Sequence, residues 1–276
     1  MASKIISILG CGWLGLPLGI SLMEDGYRVK GSCTSLKKMG VLKDAGLEPF
    51  LITCQPEITG DDVEEFFKAD VLVLTIPFKR DLVEPYLYQT QIDSVIRCVE
   101  QSPIHFLIFT SSTSIYPETN REISEDDFFD PPDTRAEVLF EIERSLMTGH
   151  HFFSTIVRFA GLYGYDRKPG RFWAGRKNIG SANSRVNFIH RDDAVSIFRE
   201  IIRQDVRGEI FNGCSDRHPT KREFYTKAAE KLGLPVPLFD ETAKAEYKIV
   251  NNERVKERLN YYFKYPDPLR GLTGAP

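Results

Sequence analysis

The chain has no apolar run approaching the length of a membrane-spanning helix. It has no block of like charge either. Its 36 basic and 39 acidic residues are interspersed and leave a net charge of −3. That dispersal argues against nucleic acid and against a membrane surface as partners. No signal peptide is expected, because the apolar run Ile5 to Leu9 is short and leads straight into glycines. Cysteine is scarce and unpatterned. Cys11, Cys33, Cys54, Cys98 and Cys214 are odd in number and sit at no metal-ligand spacing. No metal is expected, and reduced thiols in a cytoplasmic protein are the simplest expectation. No internal repeat or low-complexity tract is visible. The 276 residues suffice for one large α/β domain, or for a core with a small appended lobe.

What is present is organised around Lys4-Ile5-Ile6-Ser7-Ile8-Leu9-Gly10-Cys11-Gly12-Trp13-Leu14-Gly15. A strand-length apolar run ends in G-x-G-x-x-G, and a helix-length segment follows. Gly10 would allow a tight turn, Gly12 the close approach of a pyrophosphate, and Gly15 close packing of helix on strand. The helix start would hold phosphates through free N–H groups and its positive dipole end. Gly10, Gly12, Trp13, Leu14 and Gly15 are thus candidate contacts to a dinucleotide. A plain β–α turn that binds nothing is the competing reading. Cys11, inside the turn, is either a reactive thiol or simply a small residue that fits.

A second strand, Tyr27 to Gly31, leads into Ser32-Cys33-Thr34-Ser35-Leu36-Lys37-Lys38. NAD-binding folds usually place an acid here for the ribose 2′-OH. This stretch offers hydroxyls and lysines instead, which suit a 2′-phosphate. Thr34, Ser35 and Lys38 therefore point to NADP rather than NAD. The plainer account makes Ser35 a helix cap beside solvated lysines. A helix over 35–45, a strand over 48–52 and a short helix over 61–67 follow. Ala69 to Pro77 reads as a buried parallel strand. Its end, Thr75, Ile76 and Pro77, should border the adenine side of the cofactor. A helix over 85–101 and a strand over 104–109 continue the alternation, which implies a doubly wound parallel sheet.

Thr110 to Pro117 then reads as a hydroxyl-rich turn, and 120–133 as a loop. A helix over 134–147 and a strand over 151–157 follow, with an irregular Gly/Arg/Lys-rich segment over 165–184. Next come a short strand near 186–190, an acid-capped helix to about Arg203, and a strand over 209–212. Thr220 and Glu223 form an S/T-x-x-E box that should open a helix to Leu232. A short helix over 251–259 precedes the tail.

Taken in order, the glycine turn, Ser111-Ser112-Thr113-Ser114-Ile115-Tyr116, Gly161-Leu162-Tyr163-Gly164 and Asn187-Phe188-Ile189-His190-Arg191-Asp192-Asp193-Ala194 resemble the short-chain dehydrogenase/reductase superfamily. The nearest branch is the extended and atypical, NAD-dependent epimerase/dehydratase-like one. The resemblance implies a Rossmann sheet and a small C-terminal substrate-facing lobe. Residues 1–160 would form the dinucleotide-binding core, with 186–215 returning to it. Residues 161–276 would form the C-terminal portion. The resemblance makes Ser112 the group that hydrogen-bonds a substrate carbonyl or hydroxyl, and adds Ser111, Phe159, Gly161 and Leu162 to the cofactor contacts.

The chain departs from the family pattern where the acid/base should be. Aligning Glu141 with the usual helix glutamate puts Asp133 at the Tyr position and Glu137 at the Lys position of Y-x-x-x-K. Leu9 also replaces the first glycine of the extended branch. General acid–base catalysis is worth roughly 10²–10⁴-fold, so another group must serve or turnover must be slow. Asp133 and Tyr116 are the candidates, with Tyr163 and His190 behind them. The expected function is an NADP(H)-dependent oxidoreductase or epimerase acting on a small, sugar-nucleotide-like substrate. The alternative is an NADP(H)-binding sensor with little catalysis. Arg167, Arg171, Arg176 and Lys177 form a basic cluster that either meets substrate phosphates or is a solvated loop. The helices over 85–101 and 134–147 suit either a homodimer bundle or packing on the sheet of a monomer.

Overall fold

A computed structural model of the chain describes residues 3–79 and 83–272. The first part alternates strand and helix: β1 (Ile5–Leu9), α1 (Gly15–Glu24), β2 (Arg28–Cys33), α2 (Leu36–Asp44), β3 (Glu48–Cys54), β4 (Ile58–Gly60), α3 (Val63–Phe67), β5 (Val71–Leu74), α4 (Tyr86–Glu100) and β6 (Phe106–Ser112). A 3-10 turn over Thr113–Ile115 precedes β7 (Glu122–Ile123), α5 (Thr134–Leu146), β8 (Phe153–Phe159) and β9 (Gly161–Tyr163). The chain continues through α6 (Gly170–Trp173), β10 (Phe188–His190), α7 (Arg191–Gln204), β11 (Ile210–Gly213), α8 (Lys221–Glu230), β12 (Ile249–Val250), α9 (Glu253–Leu259) and α10 (Pro268–Gly271). Among the described residues no helix is long and apolar enough to cross a membrane.

The main sheet has the order β11-β8-β6-β5-β1-β2-β3-β4. β1 pairs in parallel with β2 on one side and with β5 on the other, and the parallel pairing continues to β3 and β6. β4 closes one edge antiparallel to β3. The strand sequence thus runs outward in both directions from β1, which is the doubly wound Rossmann order. Val71 to Leu74 are each at most 1 % exposed, and Ile6, Ile8 and Leu9 at most 2 %. Strands covered on both faces need such continuous apolar runs, which is why the sequence reads as parallel sheet. In this topology ligands sit outside the carboxyl ends of β1 and β5, where the order reverses.

Two compact units divide the chain. One holds 1–115, 131–157 and 198–210, and the other 116–130, 158–197 and 211–276. The division expected from the sequence has its boundary at 160, with 186–215 returning to the core. In the second unit β9 and β10 pair in parallel with Tyr163 opposite His190, and β7 pairs in parallel with β12. Here α6 lies on α8 so closely that a Cβ at Gly170 would sit 2.2 Å from the Ala228 carbonyl oxygen. The capping box of α8 forms as its spacing predicts: Thr220 Oγ1 accepts from the Glu223 N–H, and the Glu223 carboxylate accepts from the Thr220 N–H.

Three expectations change, the first being the loop over 120–133, which contains β7, fixed by its pairing with β12. β6 runs through Ser112, so Thr110, Ser111 and Ser112 are strand rather than turn. The segment 165–184 contains the short helix α6.

Candidate functional site

The glycine turn lies wholly in the first unit. Gly10 has φ +106, a left-handed conformation that favours glycine, and a side chain there would meet the Thr75 backbone at 3.2 Å. The turn is tied on both sides. Gly10 N–H donates to Ser32 Oγ at 2.8 Å, and Thr75 Oγ1 donates to the Gly10 carbonyl at 2.8 Å. A Cβ at Gly15 would lie 2.6 Å from the Gly10 oxygen and 3.1 Å from Ile8 Cγ2. The chain's own packing therefore demands glycine at 10 and 15.

Gly12 is different. It is exposed, and a Cβ there would meet nothing nearer than the Gly10 oxygen at 4.0 Å. Beside it α1 starts with no side-chain cap at Leu14 and no acid in its first turn. Trp13 is half-buried and Leu14 buried. Cys11 is buried against Gly31, whose Cβ would lie 2.9 Å from its sulfur, and burial pushes its thiol up to about 12. A thiol so placed is inert, so the small-residue reading of Cys11 holds.

At the end of β2, Thr34, Ser35 and Lys38 are exposed. Ser35 occupies the N-cap position of α2 but makes no side-chain capping bond. After β5, Thr75 and Ile76 are half-buried and Pro77 exposed. Tyr88 Oη donates to the Ile76 carbonyl at 2.9 Å and fixes that segment.

At the end of β6, Ser111 is buried and its hydroxyl donates to Glu143 Oε1 at 2.5 Å. Ser112 is half-buried and its Oγ accepts from the Ser114 N–H at 3.1 Å. Asp133 is the exposed N-cap of α5 and accepts from the Ala136 N–H at 2.9 Å. Glu137 is also exposed and accepts weakly from Tyr86 Oη at 3.5 Å. Glu141 pairs with Arg144 on the open face of the helix. The glutamate that reaches β6 is Glu143, two residues on. Its helical spacing from Leu139 and Leu146 was the available signal.

The remaining candidates belong to the second unit. Tyr116 is fully buried. Its hydroxyl donates to Asn212 Oδ1 at 2.9 Å and accepts from Arg158 Nη1 at 2.6 Å, and burial pushes the phenol up to about 12. The Asn212 N–H in turn donates to Glu125 Oε1 at 2.7 Å. Phe159 is buried, and a Cβ at Gly213 would lie 2.4 Å from its ring. Gly161 is exposed and Leu162 half-buried. His190 is buried, its Nδ1 accepts from the Asp192 N–H at 3.2 Å, and burial holds the imidazole below its ordinary value. Tyr163 is buried with its hydroxyl unpaired among the described residues, and burial raises its phenol. Ser32, Glu143, Arg158 and Asn212, which position candidates, were not singled out by sequence.

Protein YeeZ of Escherichia coli (strain K12) is 32% identical to this chain over 269 residues, covering 96% of this chain and 98% of YeeZ. The chain belongs to the YeeZ family. No family model matches this YeeZ relative. Its fold is shared with UDP-glucuronic acid 4-epimerase from Bacillus cereus in complex with NAD, at TM-score 0.80 and 14% identity, covering 98% of this chain and 94% of that one. It is shared too with a short-chain dehydrogenase/reductase superfamily protein from Agrobacterium tumefaciens with bound NAD, at TM-score 0.76 and 14% identity, covering 98% and 95%. The YeeZ-family chain thus has the short-chain dehydrogenase/reductase fold that its motif order resembles.

Proposed function

We propose that this YeeZ-family protein binds NADP(H) and is an oxidoreductase or epimerase acting at a carbonyl or hydroxyl carbon of a small, sugar-nucleotide-like substrate. The observation that carries the cofactor is Gly12. Packing within the chain explains Gly10 and Gly15 but leaves open space over Gly12. A pyrophosphate lying on the uncapped start of α1 would fill that space. The backbone of Trp13, Leu14 and Gly15 would meet it there. Thr34, Ser35 and Lys38, exposed and without an acid among them, would take the 2′-phosphate. Thr75, Ile76 and Pro77 would flank the adenine side. When bound, the nicotinamide supplies or accepts a hydride. Ser112 would orient the substrate oxygen; Ser111 beside it is held by Glu143. The sugar-nucleotide class is supported by the name of the Bacillus cereus enzyme, which shares the fold. The reading includes a cytoplasmic location and a monomer or homodimer.

A second reading is an NADP(H)-binding protein with little turnover. Two observations favour it: the hydroxyl of Tyr116 has both donor and acceptor engaged, and Asp133 is already capping a helix.

Thermal unfolding with NADPH, NADH or neither tests the cofactor. At a hundredfold excess over Kd a ligand specific to the folded state adds about 2.7 kcal/mol. At roughly 2–4 °C per kcal/mol, the midpoint should rise by roughly 5–10 °C with NADPH, and less with NADH. Gly12→Val should abolish the rise. No rise with either nucleotide overturns the proposal. If the rise is seen, Ser112→Ala separates the readings: an enzyme loses turnover and keeps the shift.

A further inference from the structure

A cavity of about 400 Å³ lies within the second unit, between the segment after β9 and helices α8 and α10. It includes none of the residues expected to hold the dinucleotide. Arg167, Lys168 and Lys231 line it, and among the described residues no Asp, Glu, Asn or Gln does. Two deeper groups add donors. Tyr163 is 1 % exposed and its hydroxyl has no hydrogen-bond partner among the described residues. His190 is 3 % exposed, and because its Nδ1 accepts from the Asp192 N–H, the neutral ring carries its proton on Nε2. Acids lie around the cavity without lining it: Asp166 adjoins Arg167 and acts on its charge, and Asp192 accepts from Tyr165 Oη at 2.8 Å and from Lys264 Nζ at 3.5 Å. The polar wall is therefore donor-rich and cationic.

The shape is set by packing. Tyr163 meets the edge of His190 at 5.2 Å between centroids, and Tyr265 lies at 3.9 Å from the same ring. Gly164 has φ +120, and a Cβ there would strike His190 Nε2 at 2.5 Å. Gly170 brings α6 onto α8. Three cations, two buried donors and ring walls suit an anion carried on a ring. The volume falls within the range of about 300–1,000 Å³ typical of small-molecule pockets, far more than a bare oxyanion fills. An unpaired hydroxyl in a native interior is uncommon, and a ligand oxygen would satisfy it.

We propose that this cavity is a second ligand site, and that it takes a small phosphate monoester carried on a sugar ring. Phosphate supplies acceptors for Arg167, Lys168 and Lys231, the ring lies against Tyr163, His190 and Tyr265, and an oxygen of the ligand pairs with the Tyr163 hydroxyl.

Calorimetric titration with ribose 5-phosphate tests this, with ribose and inorganic phosphate run alongside. Ribose 5-phosphate should bind more tightly than either fragment. Lys168→Glu or Lys231→Glu, both at exposed positions, should each weaken it about tenfold or more. Tyr163→Phe should weaken it severalfold and at the same time raise the Tm of the free protein, because it removes a buried unpaired hydroxyl. Absence of binding to the wild type overturns the proposal. So does binding that Lys168→Glu and Lys231→Glu leave unchanged. Binding lost in Gly12→Val but kept in Lys231→Glu would assign the ligand to the glycine turn, and also overturns it.

Discussion

Tyr116 shows how far a motif can be read one residue at a time. The spacing S-S-x-x-x-Y is local, and it brought Tyr116 forward as an acid/base. Its hydroxyl is instead held by Arg158 and Asn212, 42 and 96 residues further along the chain. No local pattern marks those partners. Burial raises the phenol, and the edge of Phe129 covers its ring at 4.9 Å. These are the properties of a structural tyrosine. Tyr116→Phe should destabilise the protein by about 1–3 kcal/mol, because Asn212 and Arg158 each lose a bond in the interior. Urea unfolding checks this. A variant as stable as the wild type would show that the hydroxyl adds nothing to folding and would return it to the catalytic candidates. The glycines split in the same way. Gly10 and Gly15 are legible because tight turns and close packing are local demands, whereas the open space over Gly12 emerges only with the coordinates.

At the scale of elements, the start of α5 sets a capping role against a catalytic one. Asp133 stands in extended backbone and accepts from the Ala136 N–H, as an N-cap does. Two substitutions at this position separate the roles. Asn preserves the cap but carries no titratable carboxyl, whereas Ala removes both. Asp133→Ala should lose about 1 kcal/mol of stability and Asp133→Asn almost none. If turnover is found, a capping residue leaves it intact in Asp133→Asn, while a proton-transferring carboxyl loses about 10²-fold or more. Thermal midpoints and initial rates on the two variants decide. Capping is the kind of feature that sequence exposes well, since donor and acceptor lie three residues apart. The Thr220–Glu223 box was read correctly for that reason. The strands β7 and β12 were not read, because two-residue strands carry no periodicity and each is defined by a partner over 120 residues away. α6 escaped because a four-residue helix leaves no pattern, and it is fixed by Gly170 lying on Ala228.

For the whole molecule, the doubly wound sheet was legible because its apolar runs and its alternation with helices are repeated several times along the chain. The burial of the ionisable side chains was not, and it makes a prediction about alkaline stability. Burial pushes Cys11, Cys54 and Tyr116 up to about 12, from ordinary values of 9.0 for the thiols and 10.0 for the phenol. The phenol of Tyr88 and the thiol of Cys214 move in the same direction, also by burial. Each folded-state value lies above its unfolded value. From about pH 9 upward the unfolded chain therefore releases protons that the folded chain keeps. The folded state binds more protons in that window, so stability falls as pH rises and is fully present below pH 9. For Cys11 alone the loss by pH 10.5 is on the order of 2 kcal/mol. Cys11 lies in the glycine turn, so its ionisation opposes the packing that holds Gly10 and α1 in place. Urea midpoints at pH 7.5 and 10.5 should therefore diverge less in Cys11→Ala than in the wild type. Parallel profiles for the two would show that the thiol ionises without opening the turn, and would remove burial of Cys11 as a source of alkaline sensitivity.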